Sequence, residues 1–224
     1  MTRGARAQQT ERLSRVQIVD EAMRVVESDG LAALSLRRLA ERLHVTPMAL
    51  YWHVADKDAL REALVERLLA SIRYPDSDPA LRWDERLQGV FTGFAHALRS
   101  HRAIAELTAS RVLLSEPGQQ LAETVLGLLA EAGFDAGEGA DLAGNLLCSV
   151  IALAVEEPGA EPAELAARKR AALAEADATR FPVLRAASAA LLAEPARSDY
   201  VQRGITVLVR GVAAIAPRTG TVPG

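Results

Sequence analysis

The sequence predicts an all-α protein, and three observations carry that expectation. Apolar residues make up 50% of the 224-residue chain and aromatics only 4%. Ala, Leu, Arg and Glu are abundant, and most residues of that kind lose little rotamer freedom in a helix. Apolar side chains also recur three or four apart in segment after segment, the period of one helix face, and Pro, Gly or polar clusters bound each segment.

The elements follow in order. Over 13–27, Val16, Val19, Met23 and Val26 form one face, and Ser28-Asp29-Gly30 ends the helix with Gly30 open to a left-handed cap. Ser35 offers an N-cap for 36–43, where Leu36, Leu39, Ala40 and Leu43 make the buried face. His44-Val45 is a short turn. Thr46 caps a helix over 47–54, with Pro47 at its first position, where a missing N–H costs nothing. Asp56 caps a fourth helix over 57–71 with Leu60, Leu64, Leu68 and Leu69 as its stripe. Two short helices joined by a tight turn behind a longer one have the arrangement of a helix-turn-helix, although small helical bundles share that spacing.

Tyr74-Pro75-Asp76-Ser77-Asp78-Pro79 is the clearest break and divides the chain into two domains, 1–74 and 80–224. Beyond it, helices are expected at 83–99, 104–113, 118–132, 137–155, 182–192 and 198–215. Between 158 and 180 an Ala/Glu/Arg segment lacks a strong apolar stripe and reads as exposed.

Composition narrows the function. A single cysteine, Cys148, excludes a disulfide framework and a cysteine-rich zinc site. The N-terminus is polar and arginine-bearing, unlike a signal peptide, and the apolar stretch 142–155 is shorter than the ~20 residues of a membrane helix. A soluble cytoplasmic protein with no membrane partner is expected. The net charge of −3 argues against a protein that coats nucleic acid. Arg3, Arg6, Arg12 and Arg15 face only Glu11 near the N-terminus, either a basic arm for phosphate or a solvated tail.

Residues 13–71 resemble the DNA-binding domain of the TetR family. The resemblance is carried by Ile18-Val19-Asp20-Glu21-Ala22, by Gly30-Leu31 with Leu34-Ser35-Leu36-Arg37-Arg38-Leu39-Ala40, by Leu43-His44-Val45, and by Leu50-Tyr51-Trp52-His53-Val54 with Lys57 and Leu60. Trp83, Phe94, Leu98, Ser100-His101-Arg102, Gly133-Phe134, Val155-Glu156 and Phe181-Pro182-Val183-Leu184-Arg185 are similar to the family's tetracycline-repressor subgroup. The resemblance implies a homodimeric repressor that binds double-stranded operator DNA and is released by a small-molecule effector, with 1–74 as the helix-turn-helix DNA-binding domain and 80–224 as the ligand-binding and dimerisation domain.

It also implies site residues. Leu50 and Val54 face inward, leaving Met48, Ala49, Tyr51, Trp52 and His53 to meet DNA, with Thr46 at the helix cap. By resemblance Tyr51, His53 and Lys57 contact phosphate and sugar, and Pro47, Met48 and Ala49 contact bases. Arg37 matches a position that reads guanine, for which Arg is best suited. Trp52 is as readily a packing residue, and a solvated surface lysine is the lesser alternative for Lys57. Phe94, Leu98, Thr108, Arg111, Asn145, Cys148 and Glu156 are the candidate effector contacts, each with an ordinary structural alternative. A histidine of the subgroup holds drug-chelated magnesium, and its counterpart here is Thr108, a poor metal ligand. No metal and no cofactor are therefore expected, and the effector is expected to be apolar or amphipathic.

Gly144, Ser149 and Ala152 allow close helix approach, and Ile205, Leu208 and Val212 run along the last helix. The resemblance pairs these two helices with their copies in a four-helix interface. An enzyme finds no support: there is no nucleophile elbow, phosphate loop or paired histidine, and Gly137-x-Gly139 lacks the third glycine and preceding strand of a dinucleotide site. A ligand-free helix-turn-helix dimer is the other alternative, which a ligand-induced thermal shift separates.

Overall fold

The computed structural model describes residues 13–73, 80–156, 162–193 and 197–217. The break at 74–79 and Arg3, Arg6 and Arg12 of the basic arm lie outside them. Every described segment of regular structure is helical: α1 (Arg15–Asp29), α2 (Leu36–Arg42), α3 (Pro47–Tyr51), α4 (Lys57–Leu69), α5 (Trp83–Ser100), α6 (Arg102–Arg111), α7 (Glu116–Glu131), α8 (Ala136–Val155), α9 (Ala163–Glu175), α10 (Pro182–Leu191) and α11 (Arg197–Ile215), with 3₁₀ turns at Leu31–Ala33 and Val112–Leu114.

Local chemistry sets the boundaries. Ser14 and Gln17 form a capping box at the start of α1, and Ser35, Thr46 and Asp56 accept backbone N–H bonds at the starts of α2, α3 and α4. Gly30 ends α1 at φ 79°, and its N–H donates to Val26 O at 2.9 Å. Between α2 and α3, His44 sits at φ 56°. There the Val45 N–H donates to Ala40 O at 3.0 Å and the His44 N–H to Glu41 O at 3.3 Å, the paired bonds of a Schellman motif.

Ile18, Ala22, Val25 and Val26 of α1 are buried with Leu39, Leu50, Leu60 and Leu64, so α2 and α3 rest on a platform made by α1 and α4. Val16, in the first turn of α1, is exposed, in contrast to the face read from the periodicity; burial begins at Ile18 and Val19. Helix α4 continues onto α5, α6 and α7. The second half packs α5, α8 and α11 against one another, with α6 and α7 on the flanks. Helix α8 has 20 residues and is long and apolar enough to cross a membrane, longer than the stretch read from the sequence. Here it packs against α5, α6, α7 and α11. The segment around 163–175 is helical and exposed, and α9 and α10 pack on each other, with no buried residue in either.

Candidate functional site

The first candidate site is the surface of α2, α3 and the start of α4. Thr46 and Pro47 start α3: the Thr46 hydroxyl accepts from the Ala49 N–H at 3.3 Å. Helix α3 is shorter than expected, ending at Tyr51, and Trp52 and His53 lie in the following turn, where the His53 and Val54 N–H groups both return to Leu50 O at 2.9 Å. Met48, Tyr51 and Trp52 are exposed, Trp52 at 83%. Trp52 is therefore not a packing residue in this chain. His53 is half-buried and Lys57 exposed in the first turn of α4. Ala49 corrects the sequence reading: it is only 5% exposed, turned inward beside Leu50, so its methyl is not offered to a base edge.

Arg37 projects from the first turn of α2 and pairs with Glu41 through Nε at 3.1 Å, both side chains largely exposed. Its neighbours are committed to α1, Arg38 to Asp29 at 2.6 Å and Arg42 to Glu21. Glu21 also receives Arg24 and is the buried acid of the described core. Burial raises its carboxyl, but the Arg42 and Arg24 bonds outweigh that and hold it below its ordinary range. The sequence reading missed this clamp, because a buried acid on an apolar face looks no different from a solvated one in a linear chain.

The second candidate site is a cavity of about 230 Å³ between α5, α7, α8 and the turn Val112–Leu114, lined by apolar residues such as Phe91, Val112, Leu121, Val125, Ala143 and Leu147 and by Gly144. The seven residues expected to gather around an effector are not brought together here. Phe94 and Leu98 are buried on α5 one and two turns past Phe91. Thr108 is fully buried, its hydroxyl donating to Ile104 O at 3.4 Å. Arg111 lies 3.7 Å from Asp58 and directly precedes the cavity-lining Val112. Asn145 and Cys148 are exposed on α8, and the Asn145 amide returns to Asp141 O at 2.9 Å. Glu156 is exposed and accepts from the Tyr200 hydroxyl at 3.1 Å, which pushes the phenol up. Arg111, Asn145 and Cys148 are thus sequence neighbours of the lining residues Val112, Gly144 and Leu147, and Glu156 lies beyond them at the end of α8.

The Thr108 hydroxyl donates to its own helix, Glu156 accepts from Tyr200, and among the described residues no three His, Cys, Asp or Glu side chains come together.

Residues 18–64 match the model of the bacterial regulatory proteins of the tetR family, and residues 61–215 match the tetracyclin repressor-like C-terminal domain. The chain belongs to the TetR family. The Escherichia coli tetracycline repressor protein class A from transposon 1721 is 31% identical over 201 residues, 88% of each chain. Among solved structures, the Streptomyces coelicolor TetR-family protein ActR in complex with actinorhodin superposes with TM-score 0.77 at 27% identity, over 92% of this chain and 99% of that one. BioQ with its natural double-stranded DNA operator superposes with TM-score 0.63 at 26% identity, over 91% and 99%; the Mycobacterium smegmatis BioQ is matched at the same identity.

Proposed function

We propose that this TetR-family protein is a homodimeric, non-catalytic repressor of the cytoplasm, released from double-stranded operator DNA when an apolar or amphipathic molecule enters its core. Residues 1–74 form the DNA-binding unit and 80–224 the effector-binding and dimerisation unit. Arg37 and Met48 read bases; Tyr51, Trp52, His53 and Lys57 hold the backbone, with Thr46 and Pro47 fixing the helix start.

One observation carries the release mechanism. A Cβ on Gly118 would lie 1.6 Å from Val112 O and 3.1 Å from a Leu69 methyl. The missing side chain thus lets the cavity wall at Val112, the start of α7 and the end of α4 meet at one point. Helix α4 runs from there to Lys57. The cavity, about 230 Å³, exceeds the ~150 Å³ that accepts a benzene and falls short of the ~300 Å³ of common ligand sites. A multi-ring effector therefore fits best where the lining has opened, and the Val112–Leu114 wall is the part of that lining joined to α4 through Gly118. That preference for one conformation is what a ligand needs in order to shift an equilibrium.

The test is operator release, using a duplex selected from randomised DNA and read by fluorescence anisotropy. Uncharged two- to four-ring aromatics are expected to weaken binding by roughly 5- to 150-fold, with or without EDTA. Release that strictly required Mg²⁺ would return metal-chelated ligands to first place.

A further inference from the structure

Helix α1 is bound along its length to the elements around it. Arg15 donates to Glu66 of α4 at 2.9 Å, Asp20 accepts from Arg67 of α4 at 3.2 Å, Asp29 accepts from Arg38 of α2 at 2.6 Å, and Glu21 accepts from Arg42 of α2. These contacts join α1, α2 and α4 into one block that carries α3. Glu27, in the last turn of α1, reaches out of the block. Its Oε1 lies 2.8 Å from Nδ1 of His101.

His101 is the single residue between α5 and α6, and its backbone is held on both sides. Its N–H donates to Ala97 O and Leu98 O, both at 3.2 Å, and its carbonyl accepts from the Ile104 N–H at 2.9 Å. The ring is therefore presented from a fixed corner. Further along α6, Asp58 Oδ1 stands 3.7 Å from Arg111 Nη2 while accepting from Arg61 at 2.8 Å. The block thus meets α6 in two ways, through the apolar packing of α4 along the helix and through one direct side-chain hydrogen bond from α1 at its start.

We propose that Glu27 and His101 are a positioning pair, the pivot that sets how each block is carried on the core and hence which half-site spacing the dimer accepts. The inference rests on the dimeric operator binding proposed above. A rotation of each block about this contact sweeps α3 along the DNA, and a two-fold dimer requires its recognition helices about one helical turn, ~34 Å, apart. His101 is 26% and Glu27 44% exposed, so the bond adds little to stability and acts mainly by fixing an orientation.

The experiment uses the duplex selected by the wild-type protein and two variants of it, with one base pair added or removed at its centre. Wild-type protein is expected to prefer the selected spacing by roughly tenfold or more, and His101→Ala and Glu27→Ala by less than about threefold, within the usual range of coupling between sites. Melting temperatures should stay close to wild type. His101→Gln keeps a side-chain N–H donor and should restore the preference. Full spacing discrimination in either alanine variant overturns the pivot, as does loss of a cooperative melt in both, which would make the pair structural. Failure of wild-type protein to enrich any duplex instead removes the DNA-binding reading itself.

Discussion

Three arginines stand within the seven residues of α2, and their partners divide their tasks. Arg38 and Arg42 are held by acids of α1, so moving either toward DNA breaks a contact that anchors the platform. Arg37 is paired only along its own helix, with Glu41, and such an exposed i,i+4 pair contributes about 0.3–0.5 kcal/mol. In the proposed base contact a guanine edge would displace Glu41 at that small cost. Arg37→Ala is expected to cost about 1–3 kcal/mol on the selected operator and to relax one base pair. Lys57→Ala should weaken all DNA alike and flatten the salt dependence by about one charge. Anisotropy on selected and random duplexes over a salt series separates the two; equal losses on both duplexes for Arg37→Ala would identify a phosphate contact. The cap and the start of α3 were legible in the sequence, but orientation was less so. Ala49, expected to face outward, is buried, and Trp52, for which packing was an equal alternative, is exposed, because on a helix of five residues the way it rests on Leu50 and Val54 decides which side is wet.

At the scale of elements, caps and turns were the most legible features, since Ser35, Thr46 and Asp56 act on backbone groups two or three residues away and need no knowledge of the fold. Two helices end in the same motif with different residues at the left-handed position. After α7 it is Gly133, at φ 94°, with the Phe134 N–H donating to Leu129 O at 3.2 Å; after α2 it is His44, at φ 56°. A side chain at such φ costs roughly 1–2 kcal/mol, which glycine avoids at the expense of greater freedom in the unfolded chain. His44→Gly is therefore expected to stabilise the protein by about 0.5–1 kcal/mol in urea melts, with operator affinity unchanged because the turn geometry is unchanged. A destabilised His44→Gly variant would show that the imidazole makes a compensating contact. The cavity was less legible for a reason of the same scale. Its apolar lining from α5, α7 and α8 looks in sequence like any other core, and only the departure of the Val112–Leu114 turn from α6 opens it.

At the scale of the whole molecule, the apolar pattern of α11 contains two faces, and the sequence alone does not say which is inside. Ile205, Leu208 and Val212, the residues expected at a partner, instead pack into the protein's own core, Ile205 and Val212 almost completely. The face left outside carries Arg203, Val207, Gly211 and Ala214, and α8 leaves Gly144, Asn145, Cys148 and Ala152 outside. Small residues on both helices permit the close approach of a four-helix interface, and Val207 is 66% exposed, a large apolar side chain with no cover in a single chain. Substituting Val207 and Ala214 together by Asp should give folded monomers by light scattering and circular dichroism. Their operator affinity should fall by about 10²–10⁴-fold, the avidity lost when two half-sites are no longer engaged together. Val212→Asp makes the opposite prediction. It places an unpaired carboxylate in the core, costs several kcal/mol and lowers the melting temperature before it changes the oligomer. If the Val207 and Ala214 double variant remains dimeric, the partner does not sit on this face of α11. The exposed Phe181, Val183 and Leu191 on and beside α10 would then be the next surface to substitute.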